Sequence, residues 1–202
     1  IRQTNDLEAH YQFITLGLNP QTERRDNMDQ AYAALAREGL LADKRAYVEA
    51  LTLLLDPTEG SDERTRLDRA QALIADMDRV TPLSPGVLDL MIGYIHHRYL
   101  RVDRDGFDYD VARFQKANHA YLLALDRGFD NPRLSAAAWR NLGILHFDVG
   151  NYGLARDFFS NRVSLPFEDA ASELSTRWLY ARALFYNQAF AAASAEAEHA
   201  LT

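Results

Sequence analysis

Residues 139–166 read WRNLGILHFDVGNYGLARDFFSNRVSLP, and the spacing of their apolar and small residues decides the fold. Trp139, Leu142, Gly143 and His146 fall three and four apart, then Tyr152, Ala155 and Phe159 do so again, which is the period of one helix face. Between the two runs stands Gly150, a residue suited to the left-handed turn that ends a helix, and Pro166 closes the second run. The stretch therefore predicts a helix–turn–helix hairpin. Gly143 on its first helix and Ala155 on its second are small, so the two axes can approach closely, while Tyr152 and Phe159 are large enough to fill gaps between neighbouring hairpins.

The same pattern returns further along the chain, with Tyr180, Ala181, Leu184, Phe190 and Ala193 in the places of Leu142, Gly143, His146, Tyr152 and Ala155, all displaced by one common interval. One such interval before the hairpin, Ala117 and Tyr121 stand for Ala155 and Phe159, and further upstream Ala70, Ile74, Met77 and Pro82 repeat the second-helix pattern. Apolar residues recur at three and four through most of the 202 residues and no strand signal interrupts them, so helices are predicted throughout. The segments are roughly 4–16, 24–38, 43–55, 62–80, 85–102, 109–127, 133–149, 152–163, 168–187 and 189–201, ten helices in five hairpins.

Their punctuation is ordinary: Gly17, Gly39, Gly128 and Gly150 at helix ends, Asp56 before Pro57, and Ser84–Pro85 and Asn131–Pro132 as an N-cap followed by a first-turn proline. Gly93 lies twice as far before Ala117 as Gly143 lies before Ala155, which places an insertion around Arg101 to Asp110. A similar lengthening falls around Asp56 to Glu63.

The order Trp139, Leu142–Gly143, His146, Gly150, Tyr152, Ala155, Phe159, Pro166 resembles the tetratricopeptide repeat signature. His146 departs from it, standing where the family has an aromatic, with Phe147 adjacent. The resemblance is good over 84–202 and weaker over 1–83. It implies an all-α fold, a right-handed α-solenoid of about five antiparallel hairpins forming a single repeat domain, in which each hairpin leaves an apolar face for the next. The chain begins at Ile1 and ends within the helical pattern of Ala191 to Leu201, which leads us to expect a piece of a longer protein.

Composition narrows the function. The hydrophobic content of 48% is enough for a packed core, and the net charge of -7 argues against a nucleic-acid face, which needs clustered cations. With no cysteine, disulfides, thiolate metal sites and a cysteine nucleophile are excluded together. The longest strongly apolar stretches, such as Ala50 to Leu55, are too short to span a bilayer. Arginine is common, Lys44 and Lys116 are the only lysines, and alanine is abundant, the usage expected of a GC-rich bacterial genome.

No phosphate loop, nucleophile elbow or kinase motif is present, and carboxylate pairs such as Asp76 and Asp78 sit two apart and face different ways on a helix. The run Asp103, Asp105, Gly106, Asp108, Asp110 is similar to part of a calcium loop, but Arg101 and Ala112 occupy its first and last ligand places, so an acidic loop that N-caps the next helix is expected. His96 and His97 point about 100° apart on a helix, and no metal or cofactor is expected.

In solenoids of the family resembled, the first helix of each hairpin lines a concave surface that receives peptides. By that resemblance the inward strip is Leu90, Tyr94, His97 and Arg98, then Arg140, Asn141, Ile144 and Phe147, then Trp178, Arg182, Phe185 and Tyr186. Asn141 fits one place of the carboxylate clamp by which some relatives hold a chaperone tail, but Leu90, Tyr94, Ser175 and Leu179 stand in the others, so that clamp is not expected. The expectation is a non-enzymatic scaffold or adaptor binding a partner protein or peptide segment, in a bacterial envelope, secretion or export assembly. The alternatives are a self-assembling repeat domain or an accessory domain of an enzyme whose active site lies elsewhere.

Overall fold

The computed structural model describes residues 49–50, 53–54, 62–77, 86–104, 108–129, 132–167 and 169–200. Within them the chain is all helical: α1 (Glu63–Met77), α2 (Val87–Val102), α3 (Val111–Arg127), α4 (Pro132–Asp148), α5 (Tyr152–Val163), α6 (Ala170–Tyr186) and α7 (Phe190–Ala200). The expected helices over 4–16 and 24–38, and most of that over 43–55, lie outside the described residues, as do Gly17, Gly39, Pro57 and Ser84–Pro85.

Local chemistry sets the helix ends. Asp110 accepts from the Arg113 amide at 3.0 Å and Asp169 from the Ser172 amide at 2.7 Å, each satisfying an orphan donor of its helix's first turn. Asp110 thus caps α3, as expected of its acidic run; Asp105 and Gly106 of that run lie outside the described residues. Pro132 opens α4, and Gly150 turns the chain between α4 and α5 at φ 81°. The inserted length divides between helix and loop: α2 continues from Gly93 to Val102 whereas α4 ends at Asp148, and the connection 103–110 is longer than 149–151.

Each helix packs on its sequence neighbour, and the helices opening successive pairs also touch, α2 on α4 and α4 on α6. A methyl group on Gly93 would lie 2.5 Å from Cδ1 of Tyr121, and one on Gly143 2.6 Å from Cε1 of Phe159. Glycine therefore admits an aromatic ring at the same place in both pairs, α2/α3 and α4/α5. Sequence spacing sets Ala155 opposite Gly143, yet the ring of Phe159 is what Gly143 meets first, because a large side chain one turn further on leans back over the crossing.

The main core runs from Ala50 and Leu53 through Leu67 and Ile74 of α1, Ile95 and Tyr99 of α2 and Tyr121 of α3 to Leu142 and Leu145 of α4. Ala155, Phe159 and Ala183 form a smaller cluster that joins α5 to α6. Phe190, expected to fill a gap between hairpins, is instead 59% exposed, since no later hairpin covers it among the described residues. His146 lies between the rings of Phe114 and Phe158, at 5.3 and 5.1 Å, and is 4% exposed, packed as the expected aromatic would be.

Candidate functional site

The helices α2, α4 and α6 carry every residue of the expected inward strip, and two polar seams and one aromatic cluster tie those helices together.

The first seam centres on Asp148, the last residue of α4. Its Oδ2 accepts from Nε2 of His97 at 3.1 Å and from Nε of Arg101 at 2.7 Å, both on α2, while its backbone carbonyl accepts from Nη1 of Arg104 at 3.0 Å. On the far side of the imidazole, the Tyr121 hydroxyl of α3 approaches Nδ1 of His97 at 3.4 Å. Burial pulls His97 below the ordinary histidine range in spite of its carboxylate partner, so the ring is neutral near pH 7, with Nε2–H the donor and Nδ1 the acceptor. Burial pushes Asp148 up, but the hydrogen bond from His97 and the charge of Arg101 outweigh it and hold the carboxyl below its usual range.

Tyr121, His97 and Asp148 follow the order of a proton relay. Tyr121 is 0% exposed and His97 5%, so neither offers an atom to a reactant, and the chain of bonds clamps α2, α3 and α4. Replacing Asp148 with alanine strands the buried Nε2–H and is expected to cost about 1–2 kcal/mol in urea unfolding. Unchanged stability would show that the seam is incidental.

The second seam joins α4 to α6. Arg140 donates from Nε to the Thr176 hydroxyl at 3.3 Å and from Nη2 to the Ser175 hydroxyl at 3.1 Å. In return Arg182 of α6 lies over the Phe147 ring of α4, 4.9 Å from its centroid. Nearer α1, Arg98 pairs with Glu63 and reaches the Tyr94 hydroxyl at 3.2 Å.

The aromatic cluster gathers where these helices turn. Phe147 meets Tyr152 edge to face at 5.3 Å and 66°, and Phe185 meets Phe190 at 5.4 Å and 69°. Phe185 stands as far beyond Phe147 in the chain as Phe190 does beyond Tyr152, so one aromatic pair recurs with one geometry in consecutive hairpins. Tyr186 bridges the pairs, stacked on Tyr152 at 4.8 Å and edge-on to Phe147 at 5.8 Å and Phe185 at 5.6 Å. Trp178 and Phe185 are each 55% exposed and Tyr186 49%, an aromatic surface with few rivals among the described residues.

Of the expected strip, the structure brings together Phe147, Arg182, Phe185 and Tyr186, and sets Arg140 on the same seam. Trp178 faces solvent on α6, Tyr94 and Arg98 are half-buried together on α2, and Leu90 and His97 are buried below the surface. Asn141 is half-buried on α4, and Ile144 packs on the Phe159 cluster. Tyr152, half-buried between Phe147 and Tyr186 of the next hairpin, fills a gap between hairpins as sequence spacing reads it, whereas its counterpart Phe190 is exposed; their position just after each turn, repeated from one hairpin to the next, is the signal that marks them.

No group of His, Asp and Glu able to hold a metal occurs among the described residues, and no helix there is long and apolar enough to cross a membrane. A pocket of about 350 Å³ opens on the opposite side of α2, between Ile74, Leu88, Ile92 and His96, with the buried Asp89 bonded to Arg127 at 2.8 Å. Comparison with models of protein families, with curated proteins and with solved structures returned no match.

Proposed function

We propose that the chain is a tetratricopeptide-like α-solenoid acting as a non-enzymatic scaffold, which holds a segment of another protein along α2, α4 and α6. The observation that carries this reading is the exposed aromatic surface of Trp178, Phe185, Tyr186 and Phe190, with the half-buried Phe147 and Tyr152 packed beside it. Exposed Trp, Tyr and Phe bury much area per residue on binding and lose little side-chain entropy, which is why such residues dominate interface energies. The recurrence of the Phe147–Tyr152 pair as Phe185–Phe190, and of the Gly93–Tyr121 contact as Gly143–Phe159, supports the repeat architecture. A bacterial envelope, secretion or export assembly is the setting this reading favours, on the arginine-rich, lysine-poor usage and the habits of the family resembled.

The test is an affinity capture from soluble and envelope fractions with the parent chain and with a Trp178→Ala, Tyr186→Ala variant. Both side chains are about half exposed, so helicity is expected to stay unchanged while the captured partner is lost. A partner retained by the variant, or helicity lost with it, would count against the groove.

Self-association is the second reading, favoured by Ala191, Ala192 and Ala195, which leave a small-residue face of α7 exposed beside Phe190. A sedimentation measurement showing a monomer at high concentration would remove it.

A further inference from the structure

We propose that the segment received by this surface is acidic, its carboxylates seated on Arg140 and Arg182 and a neighbouring apolar side chain on Phe147, Phe185 and Tyr186. The inference rests on the groove reading above and adds the chemistry of the occupant.

The chain carries 29 acidic residues against 22 basic ones, so an arginine has carboxylates in plenty to pair with. Along the same helices that is what happens: Arg98 pairs with Glu63, Arg101 with Asp148, and Arg177 with Glu173 and Glu196. Arg140 and Arg182 differ, for neither meets a carboxylate among the described residues. Arg140 is held by the neutral hydroxyls of Ser175 and Thr176, and Arg182 by the face of the Phe147 ring. Burial, and then the nearby charge of Arg101, weigh against the charge of Arg140, so an added anion there relieves an existing cost.

Geometry gives the two cations one site. Arg140, Ile144 and Phe147 share a face of α4, and Ser175, Trp178, Arg182 and Phe185 share a face of α6. Arg140 crosses from α4 to Ser175, and Arg182 crosses back from α6 to Phe147, so the guanidiniums stand along a single seam with the aromatic cluster at its end. A guanidinium carries five donors in a plane, and those not used on the hydroxyls remain for a carboxylate. With Arg182 stacked on Phe147, its N–H edge is likewise available for a forked contact. A polynucleotide fits less well, because it needs a continuous run of cations rather than two guanidiniums separated by rings.

The test uses the full 202-residue chain and two phage-displayed random peptide libraries. The libraries share their aromatic and aliphatic positions and differ only in carrying Asp and Glu or Lys and Arg at the charged ones. Binders are expected from the acidic library, with affinities that fall several-fold as ionic strength rises from about 0.05 M to about 0.5 M.

Arg182→Gln, at an exposed position of α6, is expected to weaken the selected peptides about tenfold, and Arg140→Gln at least as much. Arg140→Lys keeps the charge but loses the fork, and is expected to fall between parent and Arg140→Gln. Acidic binders lost on Trp178→Ala and Tyr186→Ala but indifferent to both arginine changes would overturn the acidic assignment and leave the groove standing, as would binders from the basic library alone. No binder sensitive to any of these residues would overturn the groove itself. A chain found to occupy its own groove, seen as a dimer that Arg182→Gln dissociates, would replace the foreign partner with a second copy of this acidic chain.

Discussion

Gly86→Ala is expected to destabilise the protein by about 3 kcal/mol, a large share of the roughly 5–15 kcal/mol that holds a domain together. Gly86 caps α2 at φ 80°, ψ -19°, a left-handed conformation that costs an L-residue roughly 1–2 kcal/mol. It also sits hard against the end of α3: an added methyl would lie 2.4 Å from the carbonyl oxygen of Ala124 and 2.6 Å from that of Gly128. Both are backbone atoms, so no rotamer change makes room, and the α2/α3 pair must open, at a further cost of about 1–3 kcal/mol. Gly150→Ala separates the two contributions. Gly150 has nearly the same φ, 81°, with nothing within 4 Å of the added methyl, so its loss is expected to stay near about 1 kcal/mol in the same urea titration. Equal losses at the two positions would mean that the α2/α3 approach is looser than the contact at Gly86 shows.

Acidification is expected to remove about 3 kcal/mol of stability between pH 7 and pH 4 through His146 alone. Nε2 of this ring donates to Oδ1 of Asn118 at 2.9 Å, and Nδ1 is buried with no partner among the rings of Phe114 and Phe158. Burial lowers its pKa from 6.5 to about 4. The unfolded chain therefore takes up a proton below pH 6.5 that the folded chain refuses until about pH 4, and stability present above 6.5 is lost as pH falls through that window.

His146→Phe removes both the titration and the stranded acceptor. The variant is expected to be at least as stable as the parent at pH 7 and to show a flatter decline toward pH 4, read from urea midpoints at each pH. His97, also lowered by burial, adds to the decline in the same direction, whereas Asp148 contributes only below its ordinary value of 3.8. A variant with the parent's slope would place the acid sensitivity at His97 and at His96, which burial and then the charge of Arg113 lower to about 4, rather than at His146.

The candidate surface is only partly legible in the chain. Phe147, Phe185 and Tyr186 follow the helix period from a recognisable repeat, which assigns them to it, and they do meet. His97 is assigned on the same grounds and is buried, because α2 presents it to Tyr121 and Asp148, which lie 24 and 51 residues further along. Helical phase says that Tyr94, His97 and Arg98 share a side of α2; it does not say how deep α4 sits on that side. The constraint at Gly86 is invisible for a similar reason: the carbonyls that forbid a side chain there belong to the end of α3 and the residue that caps it.

What the sequence determined by itself was local. Apolar spacing at three and four set the helices from 63 to 200 to within a few residues of where they lie, and Asp110, Asp169, Gly150 and Pro132 set their ends, since each acts on backbone within one turn of itself. The recurrence of the pattern also set Gly93 and Gly143, and Tyr121 and Phe159, in equivalent places of consecutive hairpins, though not against one another. Tertiary structure decided the rest: which arginines are neutralised, which histidine keeps one buried ring nitrogen without a partner, and which aromatics face water. Those properties depend on how near one helix comes to another, and small differences in the separation of residues far apart in the chain leave no mark in the period of either helix.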